Sequence, residues 1–380
     1  MATRASRTDV IRMRLGCHGL SGPALSNPGA VAGRMLAVQA QDYRAGLWAI
    51  GVRVPGSTVS DVARAIDTAV LVRSWPLRGT LHFVPAPDLH WMLGLSAPQV
   101  LAGMRTRRAQ LGLDDSAIEG ARTVALDSLS GGRELTRAGF LAALEAQGIS
   151  TGGQRGYHLV ANLALTGTLC WGRHTGTAQT LVLLDEWVPS PRRLEHDEAL
   201  GELTTRYFRG HGPATAKDLA WWSQLTLADI RIGLGVARKD LIEIDLGGVT
   251  HFLAASAEAG LPGSAPQRRS TVFALPGFDE YLLGYRGRSV VVPDDRFPLL
   301  VPGRNGIFLP LILSDGRVVG TWRTETTPRG VWVEAAPFET MTPRQWAGFE
   351  RAIDDYARFS GRPVTIRPGR GAPDPVVPLT

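Results

Sequence analysis

Three times along the chain, helix-forming stretches lead into two strand-like runs closed by a tight turn, and this recurrence limits the fold more than any other feature. In the first passage Asp9–Leu15 and Val59–Ile66 carry helical spacing, and Ala69–Trp75 and Thr80–Val84 read as strands around a turn at Pro76–Gly79. In the second, Ile118–Leu129, Ala138–Gln147 (capped by Thr136) and Gly156–Thr166 are helical, and Leu169–Arg173 and Thr180–Leu184 form a hairpin around His174–Thr177. The third is the clearest. Glu198–Phe208, a turn at Gly212–Thr215, Ala216–Trp222 and Thr226–Val236 lead into Leu241–Leu246 and Thr250–Leu253, which turn at Gly247 and Gly248. A period of roughly 70 to 90 residues in element order predicts tandem copies of one supersecondary unit.

That order is the order of a winged helix, with Thr226–Val236 as a candidate recognition helix. Between the first two copies, Pro87–Leu95 and Ala97–Leu111 add a further helical region. Beyond Gly260 the character changes. A loop over Ala254–Ser270 gives way to strand-like runs at Val272–Leu275, Ser289–Val292, Ile307–Leu313 and Arg317–Trp322. Ser314-Asp315-Gly316 joins the last two as a hairpin, because Asp-Gly supplies the positive φ angles of a type I′ turn. Thr342–Tyr356 reads as a closing helix, and the proline-rich Arg367–Thr380 as a disordered tail. The expectation is an α+β fold of three tandem winged-helix units over 1–105, 106–190 and 191–262, a β-rich region over 263–365, and a tail over 366–380.

Composition removes several function classes. No stretch reaches the roughly 18 uninterrupted apolar residues of a membrane span, and the N-terminus lacks an apolar segment, so a cytoplasmic protein is expected. Cys17 and Cys170 lie far apart and outside any Cys/His cluster, which leaves zinc knuckles and disulfide frameworks unsupported. The net charge of +6 and pI near 9.8 favour an anionic partner. Lys217 and Lys239 are the only lysines, so Schiff-base chemistry would need one of these or the N-terminal amine. Simple hydrolysis fits better.

One stretch stands apart. In RMLAVQAQDYRAGLWAIGV (Arg34–Val52), Gln39 and Gln41 sit one residue apart in apolar sequence, where amides are costly to bury without partners. On a regular helix such residues point about 200° apart, whereas in extended chain they share a face. A helix from about Val31 should therefore turn or fray near Ala40, presenting both amides to one cavity.

Five segments in order carry a resemblance: Gln39-Ala40-Gln41, WPLRGTLH (Trp75–His82), GPATAKDLAWW (Gly212–Trp222), LPGFDEYLLGYRGR (Leu275–Arg288) and NGIFLPLILSDGRVVGTW (Asn305–Trp322). From about residue 9 to 365 the chain resembles the AlkZ-like tandem winged-helix DNA glycosylases, on the Gln-x-Gln branch of azinomycin-resistance type. The resemblance implies winged-helix units and a β-rich part around a concave, basic surface that receives duplex DNA, with Gln39 and Gln41 as catalytic residues. It implies excision of alkylated purines, in repair or self-resistance; no metal or organic cofactor is expected, and because one chain carries three readers it is expected to work as a monomer.

The chemistry suits neutral amides. A purine alkylated at N7 is cationic and already a good leaving group, so what remains is to hold a water near the anomeric carbon beside an oxocarbenium-like transition state. Expected DNA contacts are Arg34, Arg44, Arg78, Thr80, His82, Arg105, Arg108, Arg286, Arg304 and Arg323, with Arg288 a further phosphate ligand. Several have a blander reading: His82 as a bonded core histidine, Arg105–Arg108 as a solvated helix face, and Asp279-Glu280 as a structural pair rather than a metal or glycosidase site. Glycines at hairpin tips, Gly176, Gly248 or Gly316, are candidates to enter the minor groove. The rival function is a non-catalytic DNA-binding regulator; a two-metal nuclease lacks the carboxylates it would need.

Overall fold

Threonine or serine followed three residues later by aspartate sets where several helices begin. Ser6/Asp9, Thr58/Asp61, Thr215/Asp218 and Thr226/Asp229 each form a reciprocal capping box, and Thr342/Gln345 forms the amide equivalent. The computed structural model describes residues 3–256 and 272–367, apart from 177, 304 and 329. Most of the expected tail, most of the loop over Ala254–Ser270, and Arg304 lie outside the described residues; Ile366 and Arg367, expected in the tail, end a strand.

The chain opens with β1 (Thr3–Arg4) and α1 (Arg7–Cys17). Its first unit is α2 (Pro28–Met35), β2 (Val38–Gln39), α3 (Tyr43–Gly51), α4 (Val59–Asp67), β3 (Leu71–Leu77) and β4 (Thr80–Pro85). The expected pair of helices over Pro87–Leu111 is one helix, α5 (Leu89–Gln110), which carries Pro98 within it. The second unit runs α6 (Asp115–Leu129), β5 (Leu135–Thr136), α7 (Arg137–Ala146), α8 (Arg155–Leu165), β6 (Leu169–Thr175) and β7 (Ala178–Leu183), closed by α9 (Leu184–Trp187). The third is α10 (His196–His211), α11 (Ala216–Ser223), α12 (Leu227–Ala237), β8 (Leu241–Leu246) and β9 (Val249–Ala254). In it an isolated bridge, Ala214 to Phe252, replaces the short strand. All three units thus repeat helix, short strand, helix, helix, hairpin, the winged-helix order.

The last part holds β10 (Val272–Leu275), α13 (Glu280–Leu283), β11 (Leu311–Ser314), β12 (Arg317–Thr327), β13 (Gly330–Pro337), α14 (Pro343–Ser360) and β14 (Val364–Arg367). Its sheet runs β10-β11-β12-β13-β14. Ser289–Val292, expected as a strand, is a turn in which the amides of Val291 and Val292 both donate to the Arg288 carbonyl. Of Ile307–Leu313 only the end is strand. The hairpin at Asp315-Gly316 has φ of 49° and 78°, as its sequence implies.

Packing joins the units. The first two hairpins share one sheet, β2-β4-β3-β6-β7-β5, through the Arg73–Trp171 pair. The third hairpin forms its own sheet with β1. The first unit lies against the C-terminal sheet, with Val31, Trp48 and Ile50 in one core with Ala274, Ile312, Trp322 and Phe349. Trp48 Nε1 donates to the Ala274 carbonyl at 2.8 Å and Trp322 Nε1 to that of Leu275 at 2.7 Å. These bonds fix the end of β10, and with it the segment that enters the candidate site. Among the described residues no helix is long and apolar enough to cross a membrane.

Candidate active site

Gln39 ends the short strand of the first winged-helix unit, and Gln41 lies in the bend that follows it. The reversal comes earlier than the sequence suggests: α2 stops at Met35, Leu36 takes a φ of 64°, and the chain re-enters as β2, where Gln39 pairs with His82. Asp42 then caps α3 by accepting from the Ala45 amide. The segment is therefore held between a strand pairing and a helix cap, and its extended form lets residues 39 and 41 share a face.

Both amides reach the β3–β4 turn. Gln39 is 8% exposed, and its Oε1 accepts from Arg78 Nη2 at 3.3 Å. Gln41 is exposed, and its Oε1 accepts from the Leu81 amide at 3.1 Å. A guanidinium and a peptide N–H can only donate, so in each glutamine the carbonyl oxygen faces the protein. The NH2 groups are left to donate outward, and each carbonyl keeps a second lone pair. Gln41 Oε1 takes a donor on the strand edge because the nearby Ala40 carbonyl is occupied by Arg73, through Nε at 3.0 Å and Nη2 at 2.8 Å.

Arg73 and Arg78 brace this segment from two sides. Arg73 Nη1 also donates to Gln179 Oε1 at 3.0 Å, tying the second hairpin to the glutamine segment. Burial draws the Arg73 guanidinium down to about 10, still charged at neutral pH. Arg78 and Gly79 form the two-residue turn with φ of 56° and 65°. A type I′ turn favours Asn or Gly at its first position, and left-handed backbone costs an arginine about 1–2 kcal/mol. The Arg78 side chain offsets this with Nη1 donating to the Trp222 carbonyl at 2.9 Å and Nη2 shared between Gln39 and His82 Nε2, the latter at 3.2 Å.

His82 is fully buried. Its Nδ1 lies 2.9 Å from the Thr80 carbonyl, which can only accept, so the proton sits on Nδ1 and Nε2 accepts from Arg78. Burial, with Arg78 beside it, holds the ring down at about 4, hence neutral at pH 7. The expected His82 contact to DNA is corrected: the ring is too deep to touch a duplex and orients Arg78 instead.

Glu280 is the residue that sequence reasoning did not assign to the site. It is buried in the first turn of α13, where Oε1 accepts the Gln39 backbone amide at 3.2 Å and Oε2 accepts Trp222 Nε1 at 2.8 Å. Burial alone would raise its pKa, but His211, with Nε2 3.5 Å away, and the Arg78 charge hold it at about 2. Its neighbour Asp279 is structural as expected, in a two-bond ion pair with buried Arg53 at 2.8 Å each. Arg73 carried a signal in the sequence, a charge inside the apolar run AVLVRSW.

The structure brings Gln39, Gln41, Arg78, Thr80 and His82 together; the other expected DNA contacts stand elsewhere. Arg34 is half-buried near the end of α2, and Arg44 is exposed on the first turn of α3. On α5, Arg105 is exposed and Arg108 pairs with Asp115 at 3.3 Å. Arg286 is exposed, its amide bound by Asp218. Arg323 faces outward on β12, paired with Glu334 at 2.6 Å. Arg288 is half-buried over the Trp221 ring at 4.7 Å rather than extended to solvent. On α12, the candidate recognition helix, Leu227, Ile232 and Val236 are exposed together with Arg231, so its outer surface mixes apolar side chains with a cation. The Gly316 tip is buried, its carbonyl accepting from Tyr281, so it cannot probe a groove; Gly176 and Gly248 are exposed.

Three winged-helix units, with a pair of amides at and just after the first short strand, describe the class of protein by its fold. The sequence matches the family described as DNA glycosylase AlkZ-like over residues 32–359, and the chain belongs to that family of DNA glycosylases. It is 28% identical over 307 residues to an interstrand DNA cross-link repair glycosylase of Streptomyces sahachiroi, an alignment covering 77% of this chain and 81% of the relative. The solved structure of the Streptomyces sahachiroi DNA glycosylase AlkZ superposes with a TM-score of 0.79 at 25% identity, covering 96% of this chain and all of that one.

Proposed function

We propose that this glycosylase is monofunctional and hydrolyses the N-glycosidic bond of cationic N7-alkylated purines in double-stranded DNA, with Gln39 and Gln41 as its catalytic residues. The observation that carries the reading is the amide orientation. Each carbonyl is anchored by a protein donor, which leaves one lone pair to accept from a water and an NH2 group to hold a sugar or phosphate oxygen. The water is placed rather than deprotonated. Expulsion of the base needs no acid because the purine departs neutral, and the electrons of the C1′–N9 bond go to its cationic ring. Neither a metal nor an organic cofactor enters this scheme.

That the Streptomyces relative is an interstrand DNA cross-link repair glycosylase supports bulky adducts and interstrand cross-links as the substrate range, in repair or self-resistance. The net charge of +6 suits duplex DNA as the partner. Because one chain carries all three units, it acts as a monomer.

The test is to incubate the protein with duplex DNA containing N7-methylguanine in the presence of EDTA. Free base without a strand nick is the expected product, and Gln39→Ala or Gln41→Ala should slow its release by about 100-fold, the scale of lost positioning. A sequence-specific shift without base release would instead identify a regulator. Full excision by either variant would sink the assignment of the glutamines.

A further inference from the structure

Arg78 has the charge of a phosphate ligand but not the freedom of one. Its Nη1 is committed to the Trp222 carbonyl and its Nη2 to Gln39 Oε1 and His82 Nε2, from a turn residue whose positive φ points the side chain back along its own hairpin. Positive φ at a residue with a Cβ persists only where surrounding contacts hold it, and such residues cluster at functional sites. Glu280 meets the same glutamine at its main chain. It arrives from 241 residues away and spends one carboxylate oxygen on the Gln39 main-chain amide and the other on Trp222. Trp222 links the two, donating from its indole to Glu280 and accepting from Arg78 at its carbonyl.

We propose that Arg78 and Glu280 are positioning residues acting as one clamp on Gln39: Glu280 fixes the main chain through the backbone N–H, and Arg78 fixes the amide through its carbonyl, so that the NH2 group is the part turned to DNA. Without Arg78 the Gln39 amide can flip, which exchanges donor for acceptor at the reacting sugar. Without the Glu280 charge, the Gln39 main chain loses its outer anchor, and Trp222, whose carbonyl holds Arg78, loses the acceptor of its indole. His82 belongs to the clamp as the neutral acceptor that keeps Nη2 in line. This inference rests on the glycosylase reading and adds to it how the first glutamine is aimed.

The experiment measures single-turnover release of N7-methylguanine, the Kd for the same duplex and the slope of log Kd against log salt, for the unmutated protein, Arg78→Met, Glu280→Gln and the double variant, with a melting temperature for each. Each single variant is expected to slow release tenfold or more, with Kd within twofold and the salt slope unchanged. The double variant should be no slower than the slower single one, because the two act through the same glutamine. If Arg78 touched a phosphate, Arg78→Met would weaken binding and lower the salt slope by about one, and the inference would fall. Release by Glu280→Gln at the unmutated rate, or a slowing matched by equal loss of DNA binding and of melting temperature, would also overturn it. Should Glu280→Gln not fold, Arg78→Lys carries the test with the same expected slowing, since lysine has one nitrogen to share between Trp222 and Gln39. Failure of the unmutated protein to release any base would count against the glycosylase reading itself, whereas release by that protein with no change in the variants would remove only the clamp.

Discussion

Asp279 and Glu280 are adjacent carboxylates that serve different masters. Asp279 caps α13 and holds Arg53, whose remaining donors reach the carbonyls of His18 and Ala49. Removing one partner of such a buried pair strands the other charge, so Asp279→Ala should cost about 3–5 kcal/mol of unfolding free energy. Urea titration would measure it; a loss below about 1 kcal/mol would show that Arg53 finds solvent. Glu280 is the residue the sequence could not place, because its partner is another segment's backbone amide and leaves no trace in composition. Gln39 and Gln41 were legible for the opposite reason, as amides out of keeping with Met35, Leu36 and Val38 around them. His82 left two readings open, and burial with two bonded ring nitrogens decides for the interior one.

Among the elements, what was local was readable. The three hairpins, the closing helix and the turn at Asp315-Gly316 follow from residue spacing and turn chemistry within a few positions. β13 and β14 were missed, and their pairing is parallel across an intervening helix, information no window of sequence holds. Ser289–Val292 has strand composition but closes a turn, an instance of tertiary packing overriding propensity. The contact between α10 and the end of α2 is equally invisible and equally consequential. A Cβ on Gly210 would lie 2.5 Å from the Arg34 carbonyl oxygen and 3.1 Å from Met35 Cα, both main-chain atoms with little room to yield. Gly210→Ala should therefore lower the melting temperature and slow base release together, by pushing the third unit away from the turn that leads into β2. An unchanged melting temperature and rate would mean the two helices separate at no cost.

At the scale of the molecule, buried histidines set the acid limit. Burial lowers His82 to about 4 and shifts His18, His158 and His251 downward as well. Between the ordinary histidine value near 6.5 and those lowered values, the unfolded chain binds more protons than the folded one, so stability is full above that window and declines as pH falls through it. Glu280 adds a second loss in the same direction, from its ordinary 4.5 toward about 2. Melting curves should show a midpoint steady near neutrality and falling from about pH 6.5 to 4.5; a flat midpoint across that range would refute the assignment. The order of winged-helix units before a β-rich region was legible, but their packing was not: hydrophobic contacts run from the first unit into the C-terminal sheet, and the first two hairpins share one six-stranded sheet.

The position of β2 at the margin of that six-stranded sheet has a further effect. A marginal strand ordinarily offers its outward main-chain groups to any passing polypeptide. Here the outward N–H of residue 39 already has a carboxylate from the chain itself, and the segment is only two residues long before a helix begins. The main-chain edge at Gln39 is thus already occupied from within the chain, which leaves little for an added strand to pair with.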